Sequence, residues 1–63
     1  MLTQQEAMTV VWYGGTVTRR SWFGDAVVYL DKDKIPIKVY QDGTVEIYDE
    51  SQDLNTDDWE NVV

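Results

Sequence analysis

Apolar and polar residues follow one period at the start of the chain and another after residue 15. In the first segment Ala7, Val10 and Val11 share one face at helical spacing. Thr3-Gln4-Gln5-Glu6 precedes them and fits a capping box, with Thr3 as N-cap, Glu6 reaching back, and Leu2 and Ala7 at the staple positions. The pattern predicts a helix from about Gln4 to Tyr13, stopped by Gly14-Gly15. The β-branched Thr9-Val10-Val11 run works against it, because such residues lose rotamer freedom in a helix.

Beyond the glycines the period drops to two. Thr16 to Ser21 reads as a strand with Val17 and Arg19 on one side, ended by Phe23-Gly24-Asp25. A three-stranded meander follows, and its registers can be deduced from side-chain pairing. With Tyr40 opposite Thr44 across a Gln41-Asp42-Gly43 loop, Val39 meets Val45, Lys38 meets Glu46, and Ile37 meets Ile47. A two-residue Asp42-Gly43 loop would instead set Val39 against Glu46, so the longer loop, with Gly43 left-handed, is preferred. On the other side a four-residue Asp31-Lys34 loop would set Leu30 opposite Ile35 and Val28 opposite Ile37. One face would then carry Ala26, Val28, Leu30, Ile35, Ile37, Val39, Val45 and Ile47 beneath the helix, with Pro36 facing away. Asp49 to Thr56 reads as a polar loop with a short turn beginning at Asn55 or Thr56, and Trp59 with the terminal valines as a last strand. The expected fold is α+β: an N-terminal helix packed on a small antiparallel sheet of about four to five strands, forming one domain over residues 1–63.

Composition narrows the function. At 63 residues the chain buries a modest share of its surface. With no cysteine and no histidine, it has neither a disulfide nor a Cys/His metal site to help it. Association between copies is the remaining supplement. The net charge is -7; all five bases lie between Arg19 and Lys38, and eight acids follow Val39. Direct binding to nucleic-acid phosphates is therefore not expected, since it needs a basic face. No segment reaches the roughly 20 apolar residues of a membrane span, and no signal-peptide pattern is present, so the expected place is the cytosol.

No catalytic constellation stands out: there is no Ser/His or Cys/His pair, the carboxylates read as a solvated acidic face, and Asp31, Asp33 and Asp42 do not match a calcium loop, which requires ligands at fixed alternate positions and a closing Glu. The expectation is a protein without enzymatic activity or cofactor. Arg19-Arg20-Ser21-Trp22 is the best binding candidate, because guanidinium forks suit phosphate oxygens and an indole offers a flat face to a base. The plainer reading is that Trp22 belongs to the core and the arginines pair with the abundant acids. Trp59 reads as a core anchor, and Trp12 and Tyr13 as core or as a subunit contact.

Gly15, Val17, Thr18, Arg19 and Trp22, followed near the end by Asp53, Asp58 and Trp59, form an ordered set over nearly the whole chain. In this the chain resembles the second Thoeris anti-defence family, small phage and prophage proteins whose pattern is a Gly, then Val-Thr/Ala-Arg, then Trp, and later Asp-x-x-x-x-Asp-Trp. The resemblance implies a dimer of dimers whose pockets between subunits hold cyclic nucleotide immune signals, such as glycocyclic ADP-ribose or the cyclic oligonucleotides of CBASS defence, without cleaving them. One branch of the family is an anti-CRISPR. On that reading Trp22 stacks on or beneath a base, Arg19 and Arg20 meet phosphates, and Asp53 and Asn55 hydrogen-bond ribose or base edges. The alternative is an acidic inhibitor whose Asp42–Glu60 half docks on the basic surface of a host nuclease or other nucleic-acid-binding defence protein.

Overall fold

A computed structural model describes residues 1–62 of the chain. One helix, α1 (Gln4–Trp12), packs on a five-stranded antiparallel sheet of β1 (Val17–Arg19), β2 (Ala26–Leu30), β3 (Pro36–Tyr40), β4 (Val45–Ile47) and β5 (Trp59–Asn61). The strand order is β4-β3-β2-β1-β5, so the tail returns to pair with the first strand. The expected α+β architecture is present with five strands.

The helix begins where its capping box places it. Thr3 Oγ1 accepts from the Glu6 N–H at 3.2 Å, and Glu6 Oε1 accepts from the Thr3 N–H at 2.9 Å. It ends in a Schellman turn: the Gly15 N–H donates to the Val10 carbonyl and the Gly14 N–H to the Val11 carbonyl, with Gly14 at φ 94°. Ala7, Met8 and Val11 point into the core, where they meet Val17, Val28, Tyr48 and Trp59. Burying each of the larger aliphatic side chains contributes about 1.5–3 kcal/mol.

The β3–β4 register is the expected one, with Ile37, Lys38 and Val39 opposite Ile47, Glu46 and Val45. The Gln41-Asp42-Gly43 loop is also as expected, Gly43 standing at φ 93°. The β2–β3 register differs from expectation by one residue: Leu30 opposes Pro36, Val28 opposes Lys38 and Val27 opposes Val39. The cause is the turn. Asp31 donates its N–H to the Ile35 carbonyl, Lys34 donates to the Asp31 carbonyl, and Lys34 takes a left-handed φ of 65°. This repeats the geometry of the Tyr40–Thr44 turn, with a lysine where that turn has glycine. Asp31 Oδ1 clamps it by accepting from the Asp33 and Ile35 N–H groups at 2.8 and 2.9 Å.

A one-residue slip moves every side chain of a strand to the other face. The helix side of the sheet therefore carries Ala26, Val28 and Leu30 with Pro36, Lys38, Tyr40 and Glu46. Pro36 faces the helix side, contrary to expectation. The opposite face carries two fully apolar rows, Val27–Val39–Val45 and Tyr29–Ile37–Ile47. Three smaller differences concern chain length in regular structure. The last strand ends at Asn61, short of the expected terminal valines, of which Val63 lies outside the described residues. The first strand is shorter than expected, because Arg20–Trp22 turns into a 3-10 helix, and the polar loop is organised by a 3-10 turn at Glu50–Asp53.

Candidate functional site

Register brings the two ends of the sequence motif together. Arg19 on β1 lies directly opposite Trp59 on β5, which sets Asp58 beside the Arg19 guanidinium. Arg19 Nε donates to Asp58 Oδ1 at 2.7 Å and Nη1 donates to Asp53 Oδ1 at 2.8 Å. The second oxygen of Asp53 accepts from Tyr48 Oη at 2.8 Å, and Tyr48 Oη in turn accepts from Gln4 Nε2 at 3.1 Å. The second oxygen of Asp58 accepts from the Ser21 N–H at 3.1 Å, and its backbone carbonyl accepts from the Arg20 N–H. One guanidinium thus joins α1, β1, the 3-10 turn after it, and the returning tail.

Aromatic rings close this network. Trp59 is fully buried and meets Trp22 edge-on at 5.1 Å and Tyr48 edge-on at 5.9 Å between centroids. Its Nε1 donates to Thr56 Oγ1 at 2.8 Å, and that hydroxyl donates to the Asp53 carbonyl. The Arg19 guanidinium carbon lies 5.9 Å from the Trp22 ring and 6.0 Å from the Trp59 ring.

The electrostatics follow from these contacts. The hydrogen bond from Arg19 and the Ser21 N–H hold Asp58 down at about 2, against partial burial that opposes ionisation. For Arg19, burial disfavours the charge, but Asp58 and Asp53 outweigh it and raise the guanidinium above its ordinary value. Burial pushes the Tyr48 phenol up, and its bond to Asp53 adds to the effect. Asp58 is therefore a permanent anion at neutral pH and Tyr48 a permanent phenol.

Of the five candidate residues, three are joined here: Arg19, Trp22 and Asp53. Arg19 and Asp53 spend hydrogen bonds on each other, and Asp53 is buried. Trp22 is half-buried, with the Lys38 ammonium 4.2 Å from its ring centroid and 4.9 Å from that of Tyr40. Arg20 stands apart, its side chain 66% exposed, with Glu60 at 3.8 Å and the Met1 sulfur at 3.9 Å. Asn55 is exposed at φ 61° and lines a separate cleft of about 330 Å³ with Thr3, Gln4, Gln5, Thr56 and Asp57.

Two participants, Lys38 and Tyr48, are not among the five candidates. Lys38 reaches the Trp22 ring because the true register puts it on the helix side, and Tyr48 reaches Asp53 through the turn at Glu50–Asp53. Correct pairing of Val28 with Lys38 is the signal that would have found the first. No family model, curated protein or solved structure matches the chain.

Proposed function

We propose that the chain is a phage-type anti-defence protein that binds and sequesters a cyclic nucleotide immune signal, glycocyclic ADP-ribose or a CBASS cyclic oligonucleotide, without cleaving it. It acts in the host bacterial cytosol as a homo-oligomer, a dimer of dimers, whose pockets are completed between copies. The observation that supports this best is the Trp22–Lys38 pair: a half-buried indole with an ammonium 4.2 Å from its centre, beside a turn that carries the exposed Arg20. Stacking of a base on an indole is worth about 1–3 kcal/mol. The base takes the place of the Lys38 head on the ring, and Lys38 and Arg20 turn to the phosphates. In a chain of net charge -7, only such a local reversal of sign suits an anionic ligand.

Arg19 and Asp53 support the pocket from below on this reading. They hold Trp22 and Trp59 in place while their own hydrogen bonds are taken by each other and by Asp58 and Tyr48. Asn55, on its own cleft, contacts the ligand only if a second copy brings that cleft to the Trp22 shelf.

Isothermal calorimetry against a panel of cyclic nucleotides tests the proposal, with Lys38→Ala as control. Heat of binding from at least one nucleotide, with affinity reduced about tenfold in the variant, is the expected result. An absence of heat across the panel overturns it. The second reading, an acidic inhibitor of a nucleic-acid-binding defence protein, draws on Asp49, Glu50, Asp57 and Glu60, all exposed along the tail. It predicts capture of a basic host protein that is released steeply by salt.

A further inference from the structure

The face of the sheet turned away from α1 is the most unusual surface of the molecule. Its two rows, Val27–Val39–Val45 and Tyr29–Ile37–Ile47, are each apolar across three adjacent strands. Neighbouring strands lie about 4.8 Å apart, and side chains two residues apart on one strand face the same way, so the six form a continuous grid. Ile47 is 71% exposed and Val45 56%, and Ile35, two residues before Ile37, is 40% exposed. None of the six carries a charge, although the chain as a whole holds 12 acids and 5 bases. Antiparallel sheets with one solvated face ordinarily alternate apolar inward and polar outward. Here that alternation holds on β1 and β5, where Thr18 and Glu60 take the outer face, and fails on β2, β3 and β4.

We infer that this grid is the surface through which two copies of the chain pack, sheet face against sheet face, about a two-fold axis. A second copy is the occupant because the patch is self-complementary: an uncharged grid suits its own image, as a two-fold contact requires. Size agrees. The chain exposes 4350 Å² on a body of 26 × 25 × 24 Å, so the whole sheet-side face, the grid at its centre and the polar residues around it, offers about 700 Å², close to the ~800 Å² that each partner gives to a standard interface. Two sheets packed in this way interleave side chains across about 10 Å with their strands roughly aligned. Need agrees as well. A 63-residue chain without cysteine has a small core, and association would add buried apolar area to it. The surface is distinct from the Trp22–Lys38 shelf, which lies on the helix side, and the inference holds whether or not a nucleotide binds.

Because both copies carry net charge -7, their long-range interaction is repulsive, and the contact itself is apolar. Added salt therefore strengthens this association, the reverse of what an ion-paired interface shows.

Sedimentation velocity over a concentration series, at low and moderate salt, tests the inference on the full chain. The wild type is expected at twice its 7.3 kDa mass or a multiple of that, tightening with salt. Ile47→Glu, at a position open to solvent in the single chain, is expected to halve the particle mass and leave the far-ultraviolet spectrum unchanged. Val45→Lys, of opposite charge and in the other row, gives the same result and covers the case in which the first variant fails to fold. A wild type that stays at 7.3 kDa throughout overturns the inference, as does an oligomer that both variants leave intact.

Discussion

Arg19 Nε and Asp58 Oδ1 stand 2.7 Å apart, across 39 positions of sequence. With the Arg19–Asp53 contact at 2.8 Å, one guanidinium adds a charged fastening to a tail also held by its three-residue strand, the Leu2–Trp59 bridge and the buried Trp59 ring. The side chains of Arg19 and Asp53 are 18% and 11% exposed, so neither charge is fully hydrated once the other is removed. The Val-Thr-Arg…Trp and Asp-x-x-x-x-Asp-Trp segments are thus the two halves of one structural clasp.

Arg19→Met should destabilise the chain by about 2 kcal/mol, less than for a fully buried pair because some water reaches the contact. Urea unfolding followed by tryptophan fluorescence measures it. A midpoint unchanged from wild type would show that the clasp contributes nothing net.

Acid should loosen the same clasp. The folded chain holds Asp58 at about 2, below its ordinary 3.8. A lowered folded value means that the stabilisation is complete above about pH 4 and drains away as pH falls toward 2. Glu6 at the helix cap and Asp49 at the Ser51 turn are lowered too and lose their contributions in the same direction. At the alkaline end the sign is opposite for the raised Tyr48: the folded state keeps its proton where the unfolded chain has lost it, so stability falls above pH 10. A thermal-melt series from pH 2 to 11 should show a plateau with both shoulders, and Asp58→Asn should flatten the acid one.

Two turns of like geometry give a pair of changes with opposite sign. Lys34 sits at φ 65°, where an L-residue is strained by about 1 kcal/mol, and Gly43 holds the equivalent place at φ 93°. Lys34→Gly should raise the melting temperature, and Gly43→Lys should lower it.

Gly15 is constrained by contact. A Cβ there would lie 2.5 Å from Val10 Cγ1 and 3.1 Å from the Val10 carbonyl oxygen. Valine is stiff at χ1 and the carbonyl already accepts the Gly15 N–H, so neither gives way easily. Gly15→Ala should cost about 1–3 kcal/mol in chemical denaturation.

Much of the fold could be read from the residues because its determinants are local. Thr3 and Glu6 announce the helix start, Gly14 and Gly15 its end, and Val39–Val45 with Lys38–Glu46 the last hairpin. The β2–β3 register is not legible in the sequence, because it depends on Lys34 adopting a conformation that favours glycine. That single residue decides whether Ile37, Val39, Val45 and Ile47 lie under the helix or in the open. The site was legible as a set of residue types but not as a network. Arg19 pairs with acids, and Trp22 packs edge-on against Trp59 while its ring stays partly open under Lys38. The partner choice depends on tail pairing, which no short stretch of sequence specifies.

Retention and recovery of ligand tests the central claim most directly. The assembled protein is mixed with each cyclic nucleotide, freed of unbound ligand by gel filtration, and denatured, and the released material is identified by mass spectrometry. The account predicts that one nucleotide co-elutes with the protein and comes back with its covalent structure unchanged. Release of a cleaved product, or no nucleotide carried through the column, would contradict it.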